Sequence, residues 1–161
     1  MPTRATLAER DMRYARLREA MAKENVDVLL IAGKGHGWTG RGYFRWMTDF
    51  HLWGHDGVIL FPLEGEPMLT MTSGAVARRV GATRGWITDS QGDWDITPKI
   101  VEELKARNLD KARIGVAGYQ FILGAGAHKV LEDGLPEADL FDADSLMNRV
   151  RAIKSPLEIQ Q

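Results

Sequence analysis

The chain has 161 residues, enough for one domain with a real hydrophobic core, and its 21 Lys and Arg against 22 Asp and Glu lack the basic excess of a dedicated nucleic-acid binder. It has no cysteine, which excludes disulfides, thiolate metal sites and a cysteine nucleophile and is compatible with a cytoplasmic location. The N-terminus has no apolar secretory core, and no apolar run approaches the roughly 18 residues of a membrane span.

Residues 7–24 have helical spacing, with Tyr14, Leu17 and Met21 on one face and Arg13, Arg16 and Lys23 directed elsewhere. Asn25 is placed to end that helix in a left-handed turn. Residues 26–31 form a short β-branched apolar run and read as a buried strand. A glycine-rich loop spans 33–42, and the aromatic segment 43–47 is compatible with a strand. Residues 58–61 and 68–72 read as a hairpin joined through Pro62-Leu63-Glu64-Gly65-Glu66-Pro67.

Residues 75–80 read as a short helix. The next helix has Thr97 as its cap, Pro98 in the first helical position and Ile100, Val101 and Leu104 as its inward stripe, with Asn108 at its end. A strand is expected over 113–117, a helix over 125–133 stopped by Gly134 and Pro136, a short strand over 139–141, and a helix capped by Ser145 through Val150. Trp86 and Trp94 flank an expected turn at 89–93 and read as packing residues. The alternation implies an α/β domain, a mixed β-sheet flanked by helices on both faces.

Gly35-His36-Gly37-Trp38-Thr39-Gly40 matches G-x-G-x-x-G after a strand. A dinucleotide site would need a helix opening at those glycines and an acidic residue ending a second parallel strand. The next residues, 41–46, are aromatic and glycine-interrupted, so an exposed loop is the plainer reading. No Gly-Lys-Ser or Gly-Lys-Thr is present to make a P-loop. His51 and His55 have the i, i+4 spacing of a helical zinc motif, but Leu52-Trp53-Gly54 between them supplies no glutamate and contains a glycine. Ser73, Ser90, Ser145 and Ser155 all lack a nucleophile-elbow context.

The richest stretch is 38–56, which gathers Trp38, Tyr43, Phe44, Trp46, Phe50 and Trp53 among Arg41, Arg45, Asp49, His51, His55 and Asp56. Aromatic rings give apolar contact and arginines recognise carboxylates, a mixture found at binding surfaces and subunit interfaces. The competing reading is that half of these aromatics are core. Trp53 and His55, in a glycine-flanked segment before a strand, are the ones expected to be exposed.

Ser155-Pro156-Leu157-Glu158 carries a capping box with proline at the first helical position, yet only Ile159, Gln160 and Gln161 lie beyond it. A helix start without a helix behind it suggests a cut at a domain boundary. Residues 1–150 are then one domain, and 151–161 are a linker with the truncated start of a further, catalytic one.

These segments resemble, in order, the N-terminal domain of the creatinase, prolidase and aminopeptidase P enzymes. They are the basic first helix, Val26-Asp27-Val28-Leu29-Leu30-Ile31, Tyr43-Phe44-Arg45-Trp46-Met47-Thr48-Asp49-Phe50, Val58-Ile59-Leu60-Phe61-Pro62-Leu63-Glu64-Gly65-Glu66-Pro67, and Arg149-Val150-Arg151-Ala152-Ile153-Lys154-Ser155-Pro156-Leu157-Glu158-Ile159. The junction Ile153-Lys154-Ser155-Pro156-Leu157-Glu158 is the most specific. The resemblance implies a ribonuclease-H-like α/β fold that supports a homodimer. It also implies a parent hydrolase acting on an Xaa-Pro peptide or a creatine-like amide by attack of a metal-bridged hydroxide. The metal pair (Mn, Zn or Co), its carboxylate and histidine ligands and the acid–base groups would lie in a C-terminal domain, so no catalytic or metal residue is carried onto this sequence, and the fragment alone is expected to be inactive.

In creatinase an aromatic and an arginine of this domain reach the neighbouring subunit's pocket. Trp53 and His55 occupy the similar places here, with Arg41 and Arg45 as further candidates for a polar or carboxylate end of the substrate. Histidine in place of arginine departs from the creatinase pattern, and Thr48-Asp49-Phe50 departs from Thr-Gly-Phe. The same domain also serves as a binding module in histone-chaperone-like pseudo-enzymes, and a small-metabolite lyase could use the same scaffold. Metal-ligand residues downstream would separate the enzyme from the binding module. Neither a nucleic-acid nor a membrane partner is expected.

Overall fold

The computed structural model describes residues 6–36 and 39–160, so Gly37 and Trp38 of the loop motif lie outside the described residues. In chain order the elements are α1 (Leu7–Lys23), β1 (Val28–Gly33), α2 (Gly42–Thr48), β2 (Gly57–Pro62), β3 (Met68–Met71), α3 (Gly74–Arg84), β4 (Asp89–Gly92), α4 (Ile96–Ala106), β5 (Arg113–Ala117), α5 (Ala125–Gly134), β6 (Asp139–Asp142), α6 (Asp144–Ala152) and α7 (Pro156–Gln160). The sheet order is β4-β3-β2-β1-β5-β6. The β1–β2 and β2–β3 pairs are antiparallel, and β1–β5, β5–β6 and β3–β4 are parallel.

Every residue of β1 and β2 is buried, as strands covered on both faces must be. The two-residue strand period still sorts their side chains. Leu29, Ile31, Ile59, Phe61 and Leu69 pack with residues of α1, α2, α3 and α6, whereas Val28, Leu30, Val58, Leu60 and Met68 pack with residues of α4 and α5. The result is the predicted mixed sheet with helices on both faces. The edge strands β4 and β6 carry Asp89, Ser90, Gln91, Asp139 and Asp142, polar residues of the kind that discourage edge-to-edge pairing. Among the described residues no helix is long and apolar enough to cross a membrane.

Local signals account for most helix ends. Thr6 accepts from the Glu9 N–H at 3.2 Å, and Ser73 caps α3. Asn25 and Asn108 take left-handed backbone angles, φ 53° and 57°, where the sequence places helix ends. Other expectations are corrected. Residues 43–47 lie in α2, because Phe44, Met47 and Thr48 recur at helical spacing and all turn inward. The helix α4 starts at Ile96 after Asp95, so Pro98 is its third residue; it still lies among the first-turn N–H groups that have no helical partner. The helix α6 starts at Asp144, one residue ahead of Ser145.

The expected turn at 89–93 is largely the strand β4, where pairing to β3 overrides a sequence poor in β-formers. Trp86 is core at 3% exposure, but Trp94 stands out at 88%. Arg13, expected to point away from the core, is only 4% exposed.

That arginine centres a polar cluster. Its Nε donates to Glu9 Oε1 at 2.8 Å and its Nη1 to the Trp46 carbonyl at 2.9 Å. Its guanidinium carbon lies 5.4 Å from the ring centroids of both Trp46 and Trp86. Ser155 Oγ donates to the same Glu9 oxygen at 2.8 Å. The predicted capping box forms: the Glu158 N–H donates to Ser155 Oγ and the Ser155 N–H to Glu158 Oε2, both at 3.1 Å. Glu158 Oε1 accepts from the Trp46 indole N–H at 3.0 Å. The short helix α7 is thereby held on α1 and α2.

Candidate functional site

The segment between α2 and β2 is built by caps and one apolar anchor. Thr48 Oγ1 donates to the Phe44 carbonyl and accepts from the Phe50 N–H, and Asp49 closes α2 in a left-handed turn with φ 51°. Leu52 is fully buried, whereas Trp53 next to it is 68% exposed. Gly54 turns the chain with φ 68°. Its N–H donates to the Gly35 carbonyl at 3.3 Å, and the Asp56 carboxylate accepts from the Gly35 N–H at 3.0 Å. The loop after β1 is thus fastened to this segment. Gly35 has to be glycine there, since a Cβ would come within 2.2 Å of the His55 carbonyl oxygen.

On this frame Trp53 becomes a platform. The Arg41 guanidinium lies 4.1 Å from its ring centroid while donating to the Gly35 carbonyl at 2.8 Å. The His51 ring stacks at 6.1 Å with an interplanar angle of 23°. Burial holds the His51 pKa below its usual value, and the nearby Arg45 and Arg41 charges push the same way. At neutral pH His51 is therefore a neutral imidazole beside a cation and an indole, and the group reads as a surface for a planar or anionic ligand.

Of the residues singled out in the sequence, the fold brings Trp53 and Arg41 together. His55 is half-buried instead of exposed, and its backbone packs against Gly35. Arg45 is exposed and faces a separate groove of about 340 Å³ with Arg13, Arg151, Lys154, Asp49 and Glu158. His51 and His55 do not share a helix, and among the described residues no group of three His, Asp or Glu side chains is arranged to hold a metal ion. The residues present do not fit the metal pair that the resemblance implies for the parent. A helix does not open at the glycine motif either; α2 starts at Gly42, beyond it.

Sequence reasoning missed His51 as a partner of Trp53, and it missed the Arg13–Glu9–Ser155–Glu158 cluster. The signal for the latter was present in Glu9 and Arg13 at i, i+4, with arginine directly beside the apolar stripe that begins at Tyr14.

The chain matches the Creatinase/Prolidase N-terminal domain family over residues 13–153. It is 29% identical to the ectoine hydrolase of Halomonas elongata, over 92% of this chain and 38% of that protein, so it spans well under half the length of that curated relative. Among solved structures it is similar to the dipeptidase PepE of Mycobacterium ulcerans, with TM-score 0.69 and 15% identity over 98% of this chain and 40% of that one. It is also similar to the N-terminal domain of the cytoplasmic peptidase PepQ of Mycobacterium tuberculosis H37Rv, with TM-score 0.66 and 14% identity over 87% and 98% of the two chains. The chain belongs to the creatinase/prolidase N-terminal domain family.

Proposed function

We propose that this domain is the non-catalytic front half of a cytoplasmic metal-dependent hydrolase, that it pairs in a homodimer, and that it lends the Trp53 surface to the substrate pocket of the partner subunit. The observation that carries the reading is the exposed indole of Trp53, braced by Arg41 and His51 in a family whose relatives are hydrolases and peptidases. An indole left 68% exposed yet held in place is organised to meet something outside the chain. The metal ligands and acid–base groups belong, on this reading, to a further segment of a longer protein, consistent with the 38% of the ectoine hydrolase that this chain spans.

The substrate class is a small amide-type molecule: an Xaa-Pro dipeptide, a creatine-like amide, or ectoine as for the Halomonas relative. Trp53 would close the pocket over the apolar part of the substrate, and Arg41 would meet a carboxylate.

The test is to assay the full-length parent against Xaa-Pro dipeptides, creatine and ectoine with Mn²⁺, Zn²⁺ and Co²⁺. The expected result is metal-dependent turnover of one class. Trp53→Ala should raise KM while bound metal per subunit stays the same. Turnover by residues 1–161 alone, or unaltered kinetics in the variant, would overturn the assignment.

A further inference from the structure

The central strands β1 and β5 are parallel neighbours whose chains leave the sheet in opposite ways. From β1 the chain passes through α2, on the face shared with α1, α3 and α6, to β2 on one side. From β5 it passes through α5, on the opposite face, to β6 on the other side. Two parallel strands that diverge like this leave a crevice beyond their carboxyl ends, the usual place for a ligand in an open α/β sheet.

Here the crevice is an open groove of about 490 Å³ between the loops that leave the two strands. That is within the size range of small-molecule sites. Gly40 from one loop, Gly42 at the start of α2 and Gly118 from the other loop bring bare backbone to the rim. Phe121, which is 82% exposed, with Ile122 and Tyr43 supplies apolar wall.

The polar groups are few and convergent. Arg151 lies against Gly42, with its guanidinium 5.0 Å from the Tyr43 ring centroid. Among the described residues its Nε has no hydrogen-bond partner and is shut off from solvent, and the same holds for that of Arg41 on the same rim. Among the described residues no carboxylate pairs with either guanidinium. The Tyr43 hydroxyl donates to Asn148 Oδ1 at 3.0 Å, which turns the Asn148 amide N–H groups away from that contact. Asp144, the acid of the lining, already accepts from the Gly118 N–H. The lining thus carries two arginines against one aspartate. A buried guanidinium Nε without a partner is costly, and a carboxylate is the group whose geometry suits a guanidinium.

We propose that the crevice at the carboxyl ends of β1 and β5 is a binding site for a small organic monocarboxylate, with Arg151 as the anchor of its carboxylate and Phe121 and Ile122 against its apolar body. It is distinct from the Trp53 surface; Arg41 is the one side chain named for both.

The experiment is an NMR titration of the chain with hippurate, cyclohexanecarboxylate and L-proline, tracking backbone amides and the arginine Nε–H resonances. Hippurate methyl ester and sulfate are the controls. The expected result is saturable shifts confined to Gly118, Tyr43 and the Arg151 Nε–H with at least one carboxylate and none with the ester. Arg151→Lys should weaken binding roughly tenfold, since a point charge replaces the planar fork. Arg151→Gln, with its spectrum otherwise retained, should abolish it. No saturable shift with any of the three carboxylates, equal shifts with the ester, or sulfate matching them (an adventitious anion only) would overturn the proposal.

Discussion

The Trp46 indole N–H donates to Glu158 Oε1 at 3.0 Å, joining α2 to the first turn of α7 across 112 residues of sequence. One carboxylate thus closes the capping box with Ser155 through Oε2 and receives the indole through Oε1. Trp46→Phe keeps the ring but removes the donor to a charged acceptor, and is expected to cost about 1.5–3 kcal/mol. Urea denaturation at neutral pH checks this, with unchanged m-values marking a simple loss of stability.

Arg13 and Glu9 are 4% and 8% exposed and hydrogen-bonded at 2.8 Å. Removing Arg13 leaves the buried Glu9 carboxylate without its counter-charge, with the Ser155 hydroxyl still donating to it, so Arg13→Ala should destabilise by about 3 kcal/mol. Replacing both, as Glu9→Leu with Arg13→Met, should recover much of that loss even though two ionic groups are gone. Thermal unfolding of the two single variants and the double variant measures the coupling. Additive losses would show that the pair is not coupled.

Tyr14 donates its hydroxyl to the Met47 carbonyl at 2.7 Å, and burial pushes its pKa well above the ordinary tyrosine value of 10.0, against the opposing pull of Arg10 and Arg18. The folded chain therefore keeps this proton at a pH where the unfolded chain releases it. Stability is full below about pH 10 and falls as pH rises beyond it. Tyr43 shifts in the same direction, chiefly through burial and then through Asp144. Tyr14→Phe should cost about 1–2 kcal/mol at pH 7 and make the alkaline decline shallower without removing it. A pH series of denaturation midpoints from about 7 to 11 would show both.

His51 is expected to titrate below the ordinary histidine value of 6.5, because burial and then Arg45 and Arg41 disfavour its charged form. Its ring protons, tracked by NMR, give the midpoint. Arg45→Gln should move that midpoint upward, and the residual depression should reflect burial and Arg41. A midpoint unmoved by the substitution would show that Arg45 does not act on this ring.

Much of the fold is legible in the sequence. The stripe of Tyr14, Leu17 and Met21, the apolar runs of β1 and β2, and the Pro62–Pro67 connection mark elements because burial repeats with the period of the local backbone. The capping box at Ser155 and Glu158 is readable because its partners are three residues apart. Residues 43–47 mislead because a short run of mostly aromatic side chains suits a strand as well as one helical turn, and only packing in the core separates the two. The candidate site is legible in part: Trp53 and Arg41 stand out, but their stacking depends on loops after β1 and α2 that meet at Gly35.

A segment that decides its own hydrogen bonds and its own apolar period carries that information in adjacent residues, and helix ends, the hairpin and the α/β class come from it directly. The burial of Arg13, the strand β4 and the exposure of Trp94 depend on groups remote in the chain; Ser155 reaches Glu9 across 146 residues. Charges and edges of that kind have no stable place until the sheet has assembled, because the partners that offset their desolvation do not come within reach before then.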